Sequence, residues 1–154
     1  MKQGSLFSAI ALFLLPGVVC AADIYVIDGD SIRIDDREIR LSGIDAPEYF
    51  QTCRDKNNRD YDCGQQAREF LASLVGPDLH CEKIVTDKYK REVSVCKSGG
   101  INLNEAMVRN GWAVAYQRYT HDYDTAQKEA KERRLGIWQG KFLKPEFYRI
   151  LSHE

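Results

Sequence analysis

The stretch "VIDGDSIRI" (26–34) constrains the fold more than any other part of the chain. Two runs rich in β-branched residues flank Asp28-Gly29-Asp30, and Asp-Gly in such a setting turns the chain back on itself as a tight hairpin. A second turn at Asp35-Asp36 leads into "REIRLSGI" (37–44), a third strand. The following "DAPEYFQTCRDKNNRDYDC" is polar and aperiodic, so it reads as a loop closed by its own disulfide. Gly64 then opens a helix in which Ala67, Phe70, Leu71, Leu74 and Val75 recur at helical spacing, and Gly76-Pro77 stops it. "LHCEKIVT" and "REVSVCK" read as two more strands, the second ended by Ser98-Gly99-Gly100. "NLNEAMVRNG" is a short helix with Asn102 and Glu105 at capping-box spacing and Gly111 as its stop. The last expected helix is "HDYDTAQKEAKERRLG", ended by Gly136, with a solvated charged face. Three strands, a helix, then two strands suit a mainly β, α+β chain. The plan is that of the OB-fold, a five-stranded β-barrel with three helices, one of them between strands three and four.

The first 22 residues stand apart. Lys2 precedes the apolar run "LFSAIALFLL", then Pro16-Gly17, then "VVCAAD" with small residues at the cut. That is the layout of a secretory signal peptide, and its apolar core falls short of the roughly 20 residues a spanning helix needs. Cleavage after Ala22 leaves residues 23–154 as one exported domain, periplasmic or extracellular. A lipoprotein attached through Cys20 is the alternative, weakened by bulky Val19; an uncleaved anchor is another. Removing residues 1–22 takes away Lys2, so 22 − 1 = 21 basic residues face 23 acidic ones, a net charge of −2. Four of the five cysteines remain: Cys53, Cys63, Cys81 and Cys96. An even number in a small exported domain argues for disulfides. Four cysteines allow three pairings; order and proximity favour Cys53–Cys63 and Cys81–Cys96, each contributing about 2–3 kcal/mol by closing a short loop. No C-x-x-C pair supports a zinc site.

A non-specific nucleic-acid binder is usually basic, because phosphate neutralisation supplies most of its affinity. This chain is not, so any such function has to come from a local cluster. The charged residues at strand ends are Asp30 after the first turn, Arg40 inside an apolar strand, and Asp45 and Glu48 around Pro47. Asp87, Lys88, Lys90 and Arg91 occupy the turn between strands four and five. Singly, each has an ordinary structural reading: a turn aspartate, a surface ion pair, a charged hairpin. Together they have a chemical logic. Asp30 and Asp45 at neighbouring strand ends suit a weak, partly hydrated calcium site. Glu48 is placed to activate water as a general base. Arg40 and Arg91 are suited to hold a phosphate and stabilise its transition-state charge. Metal, base and paired arginines are the equipment for hydrolysing a phosphodiester.

"VIDGDSIRI", "IRLSGIDAPE", "DKYKR", "INLNEAMVRNGWA" and "EAKERRLGIW" occur in one order over residues 24 to 138. In this the chain resembles the staphylococcal nuclease (thermonuclease) family, calcium-dependent OB-fold nucleases. The resemblance implies calcium carboxylates at Asp30 and Asp45 and a ligand carbonyl at Ala46. It implies phosphate-binding arginines at Arg40 and Arg91 and a general base at Glu48. The family's Tyr-Gly-Arg motif reads Tyr89-Lys90-Arg91 here. Lysine at the glycine position either adopts a positive φ, costing about 1 kcal/mol, or reshapes the turn and re-aims Arg91. Lys88, Tyr89 and Tyr116 are substrate-binding candidates, the tyrosines by stacking on a base or touching a phosphate.

The expectation is therefore an exported, monomeric, calcium-dependent nuclease without stable membrane association after signal removal. It hydrolyses DNA and RNA to 3′-phosphate ends, and Lys83, Lys88 and Lys90 add to a local positive field. The competing readings are a non-catalytic OB-fold module that binds nucleic acid or protein, and a disulfide-stapled structural or toxin-like domain. His80, His121 and His153 have no recognisable catalytic setting, and in the tail Phe142, Phe147 and Tyr148 are expected to pack on the barrel.

Overall fold

The computed structural model describes residues 22–152. The signal peptide expected over residues 1–22 lies outside the described residues except for Ala22, as does His153. Strand β1 (Ile24–Asp28) pairs antiparallel with β2 (Ser31–Ile34), and β2 with β3 (Arg37–Leu41). Side chains alternate as a strand requires: Ile32 and Ile34 are buried and Arg33 is exposed, and in β3 Ile39 and Leu41 are buried. The chain then forms β4 (Ile44–Asp45) and a small hairpin of β5 (Cys53–Arg54) and β6 (Asp60–Tyr61). Helix α1 (Cys63–Leu74) leads to β7 (His80–Thr86) and β8 (Glu92–Ser98). β8 pairs antiparallel with β7 and parallel with β3, so the sheet runs β1-β2-β3-β8-β7, the strand order of an OB-fold.

The short β9 (Ile101–Asn102) pairs with β8 and feeds helix α2 (Leu103–Arg109). Asn102 caps this helix, its Oδ1 accepting the Glu105 backbone N–H at 3.2 Å. β10 (Val114–Ala115) pairs with β4, and α3 (Asp124–Glu132) and a 3₁₀ turn (Gly136–Gln139) follow. The core gathers Ile32, Ile39, Leu41 and Ile44 from the sheet, Ala67 and Leu71 from α1, and Leu103, Met107 and Val108 from α2. Each large aliphatic side chain so buried stabilises the fold by about 1.5–3 kcal/mol. Both favoured disulfides are present: Cys53–Cys63 ties β5 to the start of α1, and Cys81–Cys96 joins directly opposed residues of β7 and β8.

Three expectations are corrected. The loop after Asp45 contains the β5–β6 hairpin, whose two-residue strands are too short for periodicity to register. The charged helix is shorter than 121–136, because Arg134 (φ 54°) and Gly136 (φ 51°) leave the helical region. There are four helices and not three, since the tail forms α4 (Pro145–Ser152). Phe142 packs edge-on against Trp138, as expected of a packing residue, but Phe147 is half exposed. Among the described residues, no helix is long and apolar enough to cross a membrane.

Candidate active site

The β1–β2 turn and the end of β4 bring their carboxylates together because the first three strands are so tightly paired. Register sets Ser31 opposite Arg40, so Arg40 rises beside Asp30. Arg40 Nη1 donates to Asp30 Oδ1 at 2.9 Å and its Nη2 to Asp45 Oδ1 at 3.0 Å. One guanidinium thus bridges two buried aspartates, the planar fork geometry for which arginine is suited. The Ala46 backbone N–H donates to Asp30 Oδ2 at 2.8 Å, and Ser31 Oγ to Asp30 Oδ1 at 3.1 Å. Gly29 makes the approach possible: a Cβ there would lie 2.7 Å from Ala46 Cβ and 2.9 Å from Ala67 Cβ.

Glu48 lies one short turn beyond. Gln51, fully buried, closes that turn by accepting the Glu48 N–H at 3.2 Å with its side chain and donating its own N–H to the Glu48 carbonyl at 2.7 Å. Helix α1 presses on the same turn, so a Cβ on Gly64 would come within 1.8 Å of the Glu48 carbonyl oxygen. Gln51 also donates to the Leu143 carbonyl at 2.7 Å, joining the Glu48 turn to the C-terminal segment. From that segment Arg149 of α4 reaches in. Its Nη1 donates to Asp45 Oδ1 (2.9 Å) and Glu48 Oε1 (2.7 Å), and its Nη2 to Asp45 Oδ2 (3.2 Å).

Burial pushes the Asp28 carboxyl up to about 7, and neighbouring Asp30 adds to the rise. Burial also pushes Asp45 up, opposed by Arg149 and Arg40. Asp30 is the main cause of the upward shift of Arg40, with burial opposing it and Asp45 adding to it. For Arg149, burial pulls the pKa down, but its hydrogen bonds to Asp45 and Glu48 win and the net shift is up. Site groups displaced in opposite senses by burial and charge partners are common where chemistry is done.

The structure therefore joins Asp30, Arg40, Asp45, Ala46 and Glu48. Two further residues were not read as site residues from the sequence. Asp28, assigned only local hydrogen bonding, does accept the Asp30 N–H at 3.0 Å, yet it also lies in the field of Asp30, Glu48 and Arg40. Arg149 gave no signal, lying 104 positions from Asp45. Arg91 is held elsewhere: its Nε and Nη2 bond Asp87 Oδ2 at 2.9 and 2.8 Å, and no ion pair links it to the aspartates among the described residues. Lys90 takes the positive φ (68°), the first of the two outcomes expected for lysine at that position. Tyr89 is exposed there, with Arg91 5.3 Å and Lys88 4.9 Å from its ring centre. Tyr116 lines a 270 Å³ cleft that begins at Asp45 and also includes Arg118, Lys131 and Lys144.

The donor set fits a hard cation. Asp30 and Asp45 offer oxygens close enough to share one guanidinium, and the Ala46 backbone lies against them. No cluster of three or more metal-binding side chains occurs among the described residues, so any ion held here keeps much of its water.

An OB-fold sheet with paired aspartates, a bridging arginine and an adjacent glutamate is the arrangement expected from the sequence of a phosphodiester-cleaving protein. The family model described as "Staphylococcal nuclease homologue" matches residues 38–140. An uncharacterized endonuclease of Escherichia coli O157:H7 is 33% identical over 142 residues, covering 84% of this chain and 86% of that one. The Thermonuclease of Staphylococcus intermedius is 30% identical over 126 residues, 74% and 73% of the two chains. The Succinoglycan biosynthesis protein ExoI of Rhizobium meliloti is 34% identical over 122 residues, 75% of this chain but only 63% of that protein's length. The chain belongs to the staphylococcal nuclease family. It is accordingly a nuclease, a phosphodiesterase acting on nucleic acid, in a family whose enzymes are generally metal-dependent.

Proposed function

We propose that the protein is an exported, monomeric, calcium-dependent nuclease that cleaves DNA and RNA to 3′-phosphate ends. The observation that carries this reading is the bridge from Arg40 to both Asp30 and Asp45, with Glu48 tied to the same Asp45 through Arg149. Asp30, Asp45 and the Ala46 carbonyl would hold the calcium. When bound, the ion supplies charge neutralisation and polarisation of the scissile phosphate. Glu48 takes a proton from the attacking water, whose oxygen forms the new bond to phosphorus. Arg40 donates to the non-bridging oxygens, and those bonds strengthen as charge builds up in the transition state. The bond from phosphorus to the 5′ oxygen breaks, leaving a 3′-phosphate and, after protonation, a 5′-hydroxyl. Arg91 joins from the β7–β8 turn, where Asp87 holds its Nε and Nη2, and Lys88, Tyr89 and Tyr116 contact the strand on either side. Two disulfides and the signal-like first 22 residues support export to the periplasm or beyond.

The test is incubation of the purified mature chain with single-stranded DNA and RNA, with calcium or with a chelator, followed by end-group analysis. Cleavage only with calcium, leaving 3′-phosphates, is expected. Folded protein that cleaves in neither condition contradicts the reading, and equal cleavage in both removes calcium from it.

A further inference from the structure

Arg149 engages both oxygens of Asp45 and one of Glu48, placing its charge between a proposed metal ligand and the proposed base. Among the described residues, its polar contacts are to acids of the site. A carboxylate held this way by a guanidinium has its lone pairs committed, and the Glu48 oxygen that accepts from Arg149 is occupied while the contact lasts. One side chain therefore opposes both metal binding and water activation.

The helix that carries it is lightly attached. Phe147, Ile150 and Leu151 are 48%, 60% and 61% exposed, so apolar burial does little to seat α4. Beyond buried Pro145 at its start, what holds it is polar: the Arg149 pairs, the Tyr148 hydroxyl donating to the Phe50 carbonyl at 3.3 Å, and the Gln51–Leu143 bond just upstream. Arg40 differs, because it sits on a central strand and has no segment to leave with.

We propose that Arg149 is an internal counter-cation and α4 an autoinhibitory strap, which a divalent cation displaces from Asp45 and Glu48. The proposal rests on the reading of Asp45 as a calcium ligand and of Glu48 as the base. Because the metal binds only the open arrangement, it shifts the population towards a lifted strap, and the closed population weakens its apparent affinity in proportion.

Calorimetric titration with calcium of the wild-type chain and an Arg149→Gln variant tests this, together with hydrogen exchange of residues 145–152 in the wild type. The Gln variant is expected to bind calcium about tenfold more tightly, the scale of a charged hydrogen-bonded pair removed from competition. In the wild type, calcium is expected to speed exchange across α4, the reverse of the usual ligand effect. Equal affinities, or exchange unaltered by calcium, overturn the strap. A lower calcium-saturated rate in the variant with unaltered affinity overturns it too, and makes Arg149 a phosphate contact. Absence of calcium binding in both proteins overturns the strap along with the metal reading beneath it.

Discussion

Two arginines grip Asp45 from different parts of the molecule, and they are not held alike. Arg40 stands on β3, between two other strands, with 18% of its side chain exposed and a second partner in Asp30. Arg149 arrives on the terminal helix α4, with 32% exposed, and its second partner is Glu48. The same contact with the same carboxylate thus has two physical meanings. On the strand it is part of a rigid, pre-paid arrangement that orients charge for chemistry. On the helix it depends on a segment with little buried surface, so it is the contact that gives way.

The largest effect expected from separating the two is at Arg40. An Arg40→Ala variant should lose about 10³-fold in kcat/KM. It should also lose about 3 kcal/mol of stability, because Asp30 and Asp45 are left buried with less compensation; urea unfolding and steady-state kinetics check both. Glu48→Gln comes next, with kcat down about 10²- to 10³-fold and a near-native melting temperature, since the carboxylate is a proton acceptor and not a packing element. A wild-type rate in that variant would remove Glu48 from its role.

A third test loosens the ground on which the Glu48–Arg149 contact stands. Replacing Cys53 and Cys63 by serine opens a loop with a separation of 10 residues, and should cost about 2–3 kcal/mol by thermal or denaturant unfolding. The smallest expected change concerns Arg91, which among the described residues pairs with Asp87 of its own turn. Lys90→Gly relieves the positive φ and should stabilise by about 1 kcal/mol at most, seen as a small rise in melting temperature.

The contrast between the two arginines also explains how much was legible in the sequence. Asp30, Arg40, Asp45 and Glu48 lie within 19 positions, on two strands and the turns beside them, which fix where each side chain points. Both cysteine pairs were favoured by order and spacing, and both form. Arg149 was not legible because a helix of eight residues, with Phe147, Ile150 and Leu151 exposed, carries no sign in sequence of which surface it meets. Gln51 was likewise silent: a buried glutamine that ties the Glu48 turn to Leu143 looks in sequence like any loop residue. Arg91 was readable as a candidate, but its pairing depends on Asp87 folding the turn back over four residues, a local competition that composition does not reveal.

The central claim is that Asp45 is a metal ligand for which Arg149 competes. Calcium titration of the wild-type chain and of Asp45→Asn by calorimetry tests it most directly. The account predicts one weak site in the wild type and at least tenfold weaker binding in the variant. Identical binding by the two folded proteins would contradict it.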